Sequence, residues 1–358
     1  MSPTPLGAEI AALIRETGPI GIDRYMALCL GHPVHGYYRT RDPLGVKGDF
    51  TTAPEISQMF GELIGAWAGY IHGQRSQREP LILVELGPGR GTLMVDALRA
   101  LRIAAPGAEI RPHLVETSPV LRAVQERALA GTGATWHAGI ETLPEGPAII
   151  LANEFFDCLP VRQFERHATG WHERQVGLGP EGDLVFGLAP EATPGLDADG
   201  PEGALLSVPG VGLGLMRLLA HRMREAGGAL LAIDYGHVRP GFGDTLQALS
   251  GHRFADPLAR PGEADLTHHV DFAALAKAAH TEGAIVHGPV AQRDFLLALG
   301  LNARAEHLKT RATAVQAAAV DSAVRRLTDG SRGGMGSLFK VLAVSGRDHG
   351  PLPGFPEA

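Results

Sequence analysis

Three glycines and two acids carry the first chemistry in this chain. Gly87-Pro88-Gly89-Arg90-Gly91-Thr92 follows directly on the apolar run Leu81-Ile82-Leu83-Val84-Glu85-Leu86. Behind the turn, Leu93, Met94, Ala97, Leu98 and Leu101 recur at helical spacing. Strand, glycine turn and helix in that order open a nucleotide-type α/β unit. The glycines Gly87, Gly89 and Gly91 let backbone approach a ligand, and the helix start presents unpaired N–H groups. The spacing GxGxG is not the dinucleotide fingerprint, which needs a glycine where Thr92 stands, nor a P-loop, which needs a lysine before Thr92. Glu85 would repel a phosphate at this range and suits an ammonium group. Glu116 closes the expected second strand, 110–115, where a carboxylate can accept both hydroxyls of a ribose; the competing role is a cap ahead of Ser118. A cationic ligand with an α-amino acid end, a free ribose and no phosphate meets all of these conditions, and S-adenosylmethionine is such a ligand.

Two further strings fall at strand ends. The continuous apolar run 148–152 reads as a buried parallel strand and ends in Asn153-Glu154-Phe155-Phe156-Asp157. The run 229–233 ends in Asp234-Tyr235-Gly236-His237. Both place polar groups at the carboxyl edge of the sheet, where open α/β folds bind ligands. Asp234, Tyr235 and His237 are read as substrate-cleft residues, with His237 a proton acceptor or, equally, a structural histidine. Residues 136–140 follow the third strand, where an adenine would lie; Trp136 is either its apolar neighbour or a core side chain.

The elements that must hold these residues alternate between strand and helix, so the fold class is α/β. Two helices fill 8–32, with Asp23 as the expected N-cap of the second. A long helix starts at Pro54 and carries the stripe Ile56, Phe60, Leu63, Ile64, Trp67. Residues 161–207 alternate in antiparallel-strand fashion between Gly and Pro turns. Residues 241–269 read as a long loop. The expected organisation is an N-terminal helical segment with a covering loop at 1–75, then a catalytic domain at 76–358 with an insertion at 161–210 and a substrate-side loop at 241–269. The 358 residues carry 44% hydrophobic and 20% charged side chains, ordinary for a soluble globular protein. A net charge of −7 argues against bulk nucleic-acid binding. Cys29 and Cys158 make no disulfide framework, and the pairs His32/His35 and His268/His269 lack a third ligand pattern, so no metal is expected. With no signal, transit or membrane-spanning pattern, cytoplasmic residence without membrane insertion is expected. Nothing in the sequence sets an oligomeric state.

The wording of several strings goes further than their pattern. Gly48-Asp49-Phe50-Thr51-Thr52-Ala53-Pro54-Glu55-Ile56-Ser57-Gln58-Met59-Phe60 resembles a signature of the MidA-type methyltransferase family. So do the glycine turn with Glu85, the Asn153 and Asp234 strings, and Ala264-Asp265-Leu266-Thr267. The resemblance runs in order over nearly the whole chain; Ala53 and Cys158 are small departures outside the turn. It implies a class I S-adenosylmethionine-dependent fold with a Rossmann-like sheet. It also implies methyl transfer to an arginine of a 49-kDa-type subunit of respiratory complex I during its assembly. Under it, Asp49 and Phe50 belong to a loop closing over the cofactor, Thr92 and Asn153 join the cofactor site, and Asp265 joins the substrate side.

An arginine acceptor sets a chemical problem. Guanidinium is protonated and delocalised, so its nitrogen is a poor nucleophile. Carboxylates gripping its edges would fix the plane and localise charge. Glu154 and Asp157 are the expected pair, with Phe155 and Phe156 walling off water; a turn cap for Asp157 and core packing for the rings are the competing roles. Two other functions stay open: methylation of a different protein or small molecule on the same fold, and a cofactor-binding assembly chaperone without turnover. Calorimetry separates the ligand classes: S-adenosylmethionine and S-adenosylhomocysteine should bind and NAD should not, and tight NAD binding alone would contradict the reading of Glu85 and Glu116.

Overall fold

A strand that is apolar on both faces needs cover on both faces, and three such strands dominate this sequence. The computed structural model, which describes residues 3–45, 48–74, 79–347 and 349–356, places them at the centre of one sheet. Its seven main-path strands, beside the short Val270–Asp271 that pairs with Gly228–His237, are β1 (Leu81–Leu86), β2 (Ile110–Val115), β3 (Thr135–His137), β4 (Ala148–Asn153), β5 (Gly228–His237), β6 (Ile285–Ala291) and β7 (Phe339–Ser345). They run in the order β6-β7-β5-β4-β1-β2-β3. Strands β1 to β5 are mutually parallel, and β7 enters antiparallel to both β5 and β6. Leu86 pairs with Val115 on one side and Ala152 on the other. That register brings the ends of β1, β2 and β4 to one edge, and with them the glycine turn, Glu116 and Glu154.

The chain divides into two compact units of three segments each. The sheet belongs to the unit made of 51–156, 215–238 and 271–358. Its core joins Leu83, Ile149, Leu231 and Val341 from the strands to Phe60, Ile64, Trp67, Leu93 and Leu101 from two helices. Those helices, α1 (Gln58–Gly73) and α2 (Thr92–Ala104), pack very closely. Gly61, Gly65 and Gly69 recur every fourth residue of α1, so they share one face. A Cβ on Gly65 would lie 2.4 Å from the Ala97 carbonyl oxygen and 2.7 Å from its Cα. Beside this contact, buried Glu62 accepts from Arg304 at 2.7 and 3.0 Å and from Arg99 at 3.1 Å.

The other unit comprises 1–50, 157–214 and 239–270. Helices Pro5–Thr17 and Ile22–Gly31 bury Ile10, Tyr25 and Met26 with Val161, Val176 and Leu266. Its five-stranded antiparallel sheet uses Ile20–Gly21, Arg162–His167, Gly170–Leu178, Leu184–Ala192 and Leu205–Val208. The expected antiparallel insertion is therefore present, but it folds with the N-terminal helices.

Four expectations need correction. The unit boundary falls at Phe50/Thr51, ahead of α1, because α1 belongs with α2 by its glycine face. Pro54 starts only a short helix, Ala53–Ile56, and the extended Ser57 (φ −162°) breaks it before capping α1 through Met59 N–H. Residues 241–269 are not one loop; they contain the three-stranded sheet Arg253–Ala255, Gln247–Ser250, Asp265–Thr267. Gly21, not Asp23, is the N-cap of Ile22–Gly31, and the Asp23 carboxylate takes the N–H of Arg24.

The α1–α2 contact makes a testable statement. Gly65→Ala should cost about 1–3 kcal/mol in chemical denaturation by overpacking. Gly73→Ala, in the same helix with nothing within 4 Å of its would-be Cβ, should be neutral or slightly stabilising. Equal effects at the two positions would contradict the close approach.

Candidate active site

Glu85 is the penultimate residue of β1, in a strand whose six residues are all buried. It is 3% exposed. One lone pair takes the backbone N–H of Met94 in the first turn of α2. Its Oε2 has no hydrogen-bond partner among the described residues. Burial, with a smaller push from the Glu116 charge, raises its carboxyl from the ordinary 4.5 to about 8. A buried acceptor without a donor is costly, and a cationic donor is the partner that relieves it best. The turn beyond it has Gly87, Gly89 and Gly91 at φ 60°, 53° and 80°, all left-handed. At Gly87 a side chain is excluded twice over, by that φ and by the Phe155 ring, 2.8 Å from a would-be Cβ.

Two side chains clasp the turn, and no role was expected for either. Glu55, from Ala53–Ile56, accepts from the Thr92 hydroxyl at 2.7 Å and from Arg90 at 3.3 Å. Gln125, fully buried on the helix α3 (Pro119–Ala128), donates to the Gly89 carbonyl at 2.7 Å and to Glu116 at 3.0 Å. Gln125 was visible in principle: it sits four residues from both Leu121 and Leu129 on an apolar stripe, and a polar group there must find partners. Glu116 is half-buried; its second oxygen takes the Ser118 N–H at 2.6 Å. Glu116 thus meets the Ser118 N–H, as a cap would, with one oxygen and the Gln125 amide with the other. Trp136 donates its indole N–H to Gln125 at 2.9 Å.

Glu154 follows β4 with φ 50°, a left-handed conformation rare for a residue with a side chain. Its N–H is fixed on the Ile233 carbonyl at 2.8 Å. Its carboxylate takes the Ala53 N–H at 3.0 Å and the Asn153 amide at 3.3 Å. Asn153 Oδ1 is buried without a partner among the described residues. Such backbone strain costs of order 1–3 kcal/mol and persists only where the surrounding structure over-determines it, as these bonds do here. Asp234, expected to face substrate, is buried and turned to the backbone instead. It accepts from the N–H groups of Phe155 at 3.1 Å, Phe156 at 3.0 Å and Tyr235 at 2.9 Å. It therefore braces the turn that carries Glu154. Phe156 is buried, while half-buried Phe155 meets it edge-on and lies against Gly87. Tyr235 packs on Phe339, and His237 Nδ1 lies 3.9 Å from Asp271.

The remaining expected residues lie in the other unit. Asp49 accepts from the Tyr37 hydroxyl and the Gly251 N–H, both at 2.6 Å. It staples the loop to the hairpin of Gln247–Ser250 and Arg253–Ala255. Phe50 packs on that unit's core. Asp265 accepts from the Tyr38 hydroxyl at 2.8 Å, and burial beside that carboxylate raises the phenol well above its ordinary range. The buried Asp157 accepts the His268 N–H through its backbone carbonyl at 2.9 Å. His32 and His35 both face Glu9, at 3.2 and 3.3 Å. No group of three or more His, Cys, Asp or Glu side chains among the described residues is arranged to hold a metal. No helix among them is long and apolar enough to cross a membrane.

Comparison with known proteins gives this geometry relatives. Residues 63–290 match the profile of a family of S-adenosyl-L-methionine-dependent methyltransferases. The chain is 38% identical to the mitochondrial protein arginine methyltransferase NDUFAF7 of Mus musculus, covering 86% of this chain and 77% of that one. It is 37% identical to the homologous protein of Drosophila melanogaster, over 95% of this chain and 84% of that one. A crystal structure from Burkholderia thailandensis, bound to S-adenosyl-homocysteine, superposes with a TM-score of 0.85 at 28% identity over 100% of this chain and 98% of that one.

The Glu85 geometry carries a pH dependence. The folded carboxyl keeps its proton up to about 8, while the unfolded one loses it near 4.5. Stability of the ligand-free protein should therefore fall as pH rises through that window. Glu85→Gln should remove this decline, so that denaturant unfolding curves of variant and parent agree near about pH 5 and separate by a few kcal/mol near about pH 8.5. Curves that stay parallel would contradict it.

Proposed function

Since this chain belongs to the family of S-adenosyl-L-methionine-dependent methyltransferases, we propose that its acceptor is an arginine side chain of a protein. The finer reading is a 49-kDa-type subunit of respiratory complex I during assembly. The single observation that carries the acceptor class is Glu154, a carboxylate held in a strained left-handed turn at the same sheet edge as the glycine turn. The names of the mouse and fly relatives support it.

When bound, S-adenosylmethionine supplies a methyl group already activated on a sulfonium, so the protein's task is alignment and exclusion of water. The orphaned Oε2 of Glu85 fits the donor's ammonium, and the left-handed glycines fit a close backbone approach. Glu116 takes the ribose hydroxyls. Glu154 binds the guanidinium in the plane of its N–H groups and draws positive charge away from the attacking nitrogen. Its own orientation comes from Ala53 N–H and Asn153, and Asp234 holds the adjoining backbone. The nitrogen–carbon bond forms as the carbon–sulfur bond breaks, and the nitrogen gives up one proton. His237, at the end of the neighbouring strand β5, is the acceptor assigned to it. Phe155 covers the turn at Gly87 and keeps water from it.

Two measurements test this. Labelled-methyl transfer into a lysate, followed by mass spectrometry, should place label on protein arginine; label confined to small molecules would contradict the proposal. Glu154→Gln should lower turnover by about 100-fold or more while the donor's Kd stays within about threefold. Loss of donor binding with acceptor affinity intact would reassign Glu154.

A further inference from the structure

We propose that Gln125 is a positioning residue that aims the Glu116 carboxylate and so makes the site selective for an intact ribose. The inference rests on the reading of Glu116 as the ribose acceptor. Gln125 is fully buried, and every polar function of its amide is used. Its Nε2 donates one hydrogen to the Gly89 carbonyl at 2.7 Å and the other to Glu116 Oε2 at 3.0 Å. Its Oε1 accepts the Trp136 indole N–H at 2.9 Å. Two acceptors on one side and a pure donor on the other fix which way the amide faces; the flipped amide would set oxygen against oxygen and N–H against N–H.

Glu116 is thereby pinned from both sides. Oε1 is held by the Ser118 N–H at 2.6 Å and Oε2 by Gln125. A carboxylate oxygen can accept two hydrogen bonds, so neither bond exhausts its oxygen. What the two bonds remove is rotation of the carboxylate about its own axis. A diol needs both oxygens presented together at fixed direction, and an unpinned carboxylate would have to be ordered at the moment of binding. The same amide holds the Gly89 carbonyl within the glycine turn, so the turn and the ribose acid are set by one side chain. Trp136 locks the amide from the far end.

The test compares S-adenosylhomocysteine with its 2′-deoxy analogue by calorimetry on the full chain. The wild type should prefer the intact ribose by about tenfold or more. In Gln125→Met that preference should fall to about threefold or less. The ratio is the readout, because any general loosening of the turn lowers both affinities and cancels. An unchanged ratio in Gln125→Met overturns the role of Gln125 and leaves that of Glu116 standing. A wild type that does not distinguish the two ligands overturns the role of Glu116, and the inference with it. Should Gln125→Met fail to fold, Trp136→Phe releases only the carbonyl end of the amide. It should reduce the preference by about threefold, and an unchanged preference there also overturns the inference.

Discussion

A parallel sheet covered on both faces leaves its strand ends as the place where polar groups can meet a ligand. In this protein the constraint is severe. The strands β1, β4 and β5 are apolar almost throughout, and their register ends β1, β2 and β4 level with one another. Glu85 is the one ionisable group inside β1. Burial raises its carboxyl to about 8 and leaves its Oε2 without a partner among the described residues, and in the proposed function the donor's ammonium is that partner.

The rest of the edge holds the groups around Glu85 in fixed positions. Glu55 and Gln125 clasp the glycine turn from separate helices, and Asp234 ties down the two backbone donors that follow Glu154 together with that of Tyr235. These are bonds from carboxylates and amides to the backbone, which set position more than they contribute net stability. The left-handed Glu154 is tolerable because its N–H, its carboxylate and its neighbours are all held. Family membership and cofactor class follow from the relatives; the proposed acceptor rests on the Glu154 turn.

Much of the sheet was legible in the sequence because its signal is strong: unbroken apolar runs ending in acids or glycines. The antiparallel insertion was legible from period-two alternation. What escaped had weaker signals. The strands at 247–250, 253–255 and 265–267 are three or four residues long and sit among Gly, His and Pro. The unit boundary depends on the glycine face of α1, which a search for apolar stripes passes over. Among the acids, sequence could not separate those that face a ligand from those that brace backbone. Asp49 and Asp234 stand in strings as distinctive as that of Glu154, yet both carboxylates are turned to N–H groups of their own unit. The same limit hid Gln125, whose partners are 36, 9 and 11 residues away.

The central claim is that Glu85 and the glycine turn hold the amino-acid end of the methyl donor while Glu116 holds its ribose. A crystal structure of this chain with S-adenosylhomocysteine tests it most directly. The account predicts the ligand's amino nitrogen within about 2.7–3.2 Å of Glu85 Oε2 and both ribose hydroxyls on Glu116. A ligand seated with its amino group away from Glu85, or with its ribose on another acid, would contradict it.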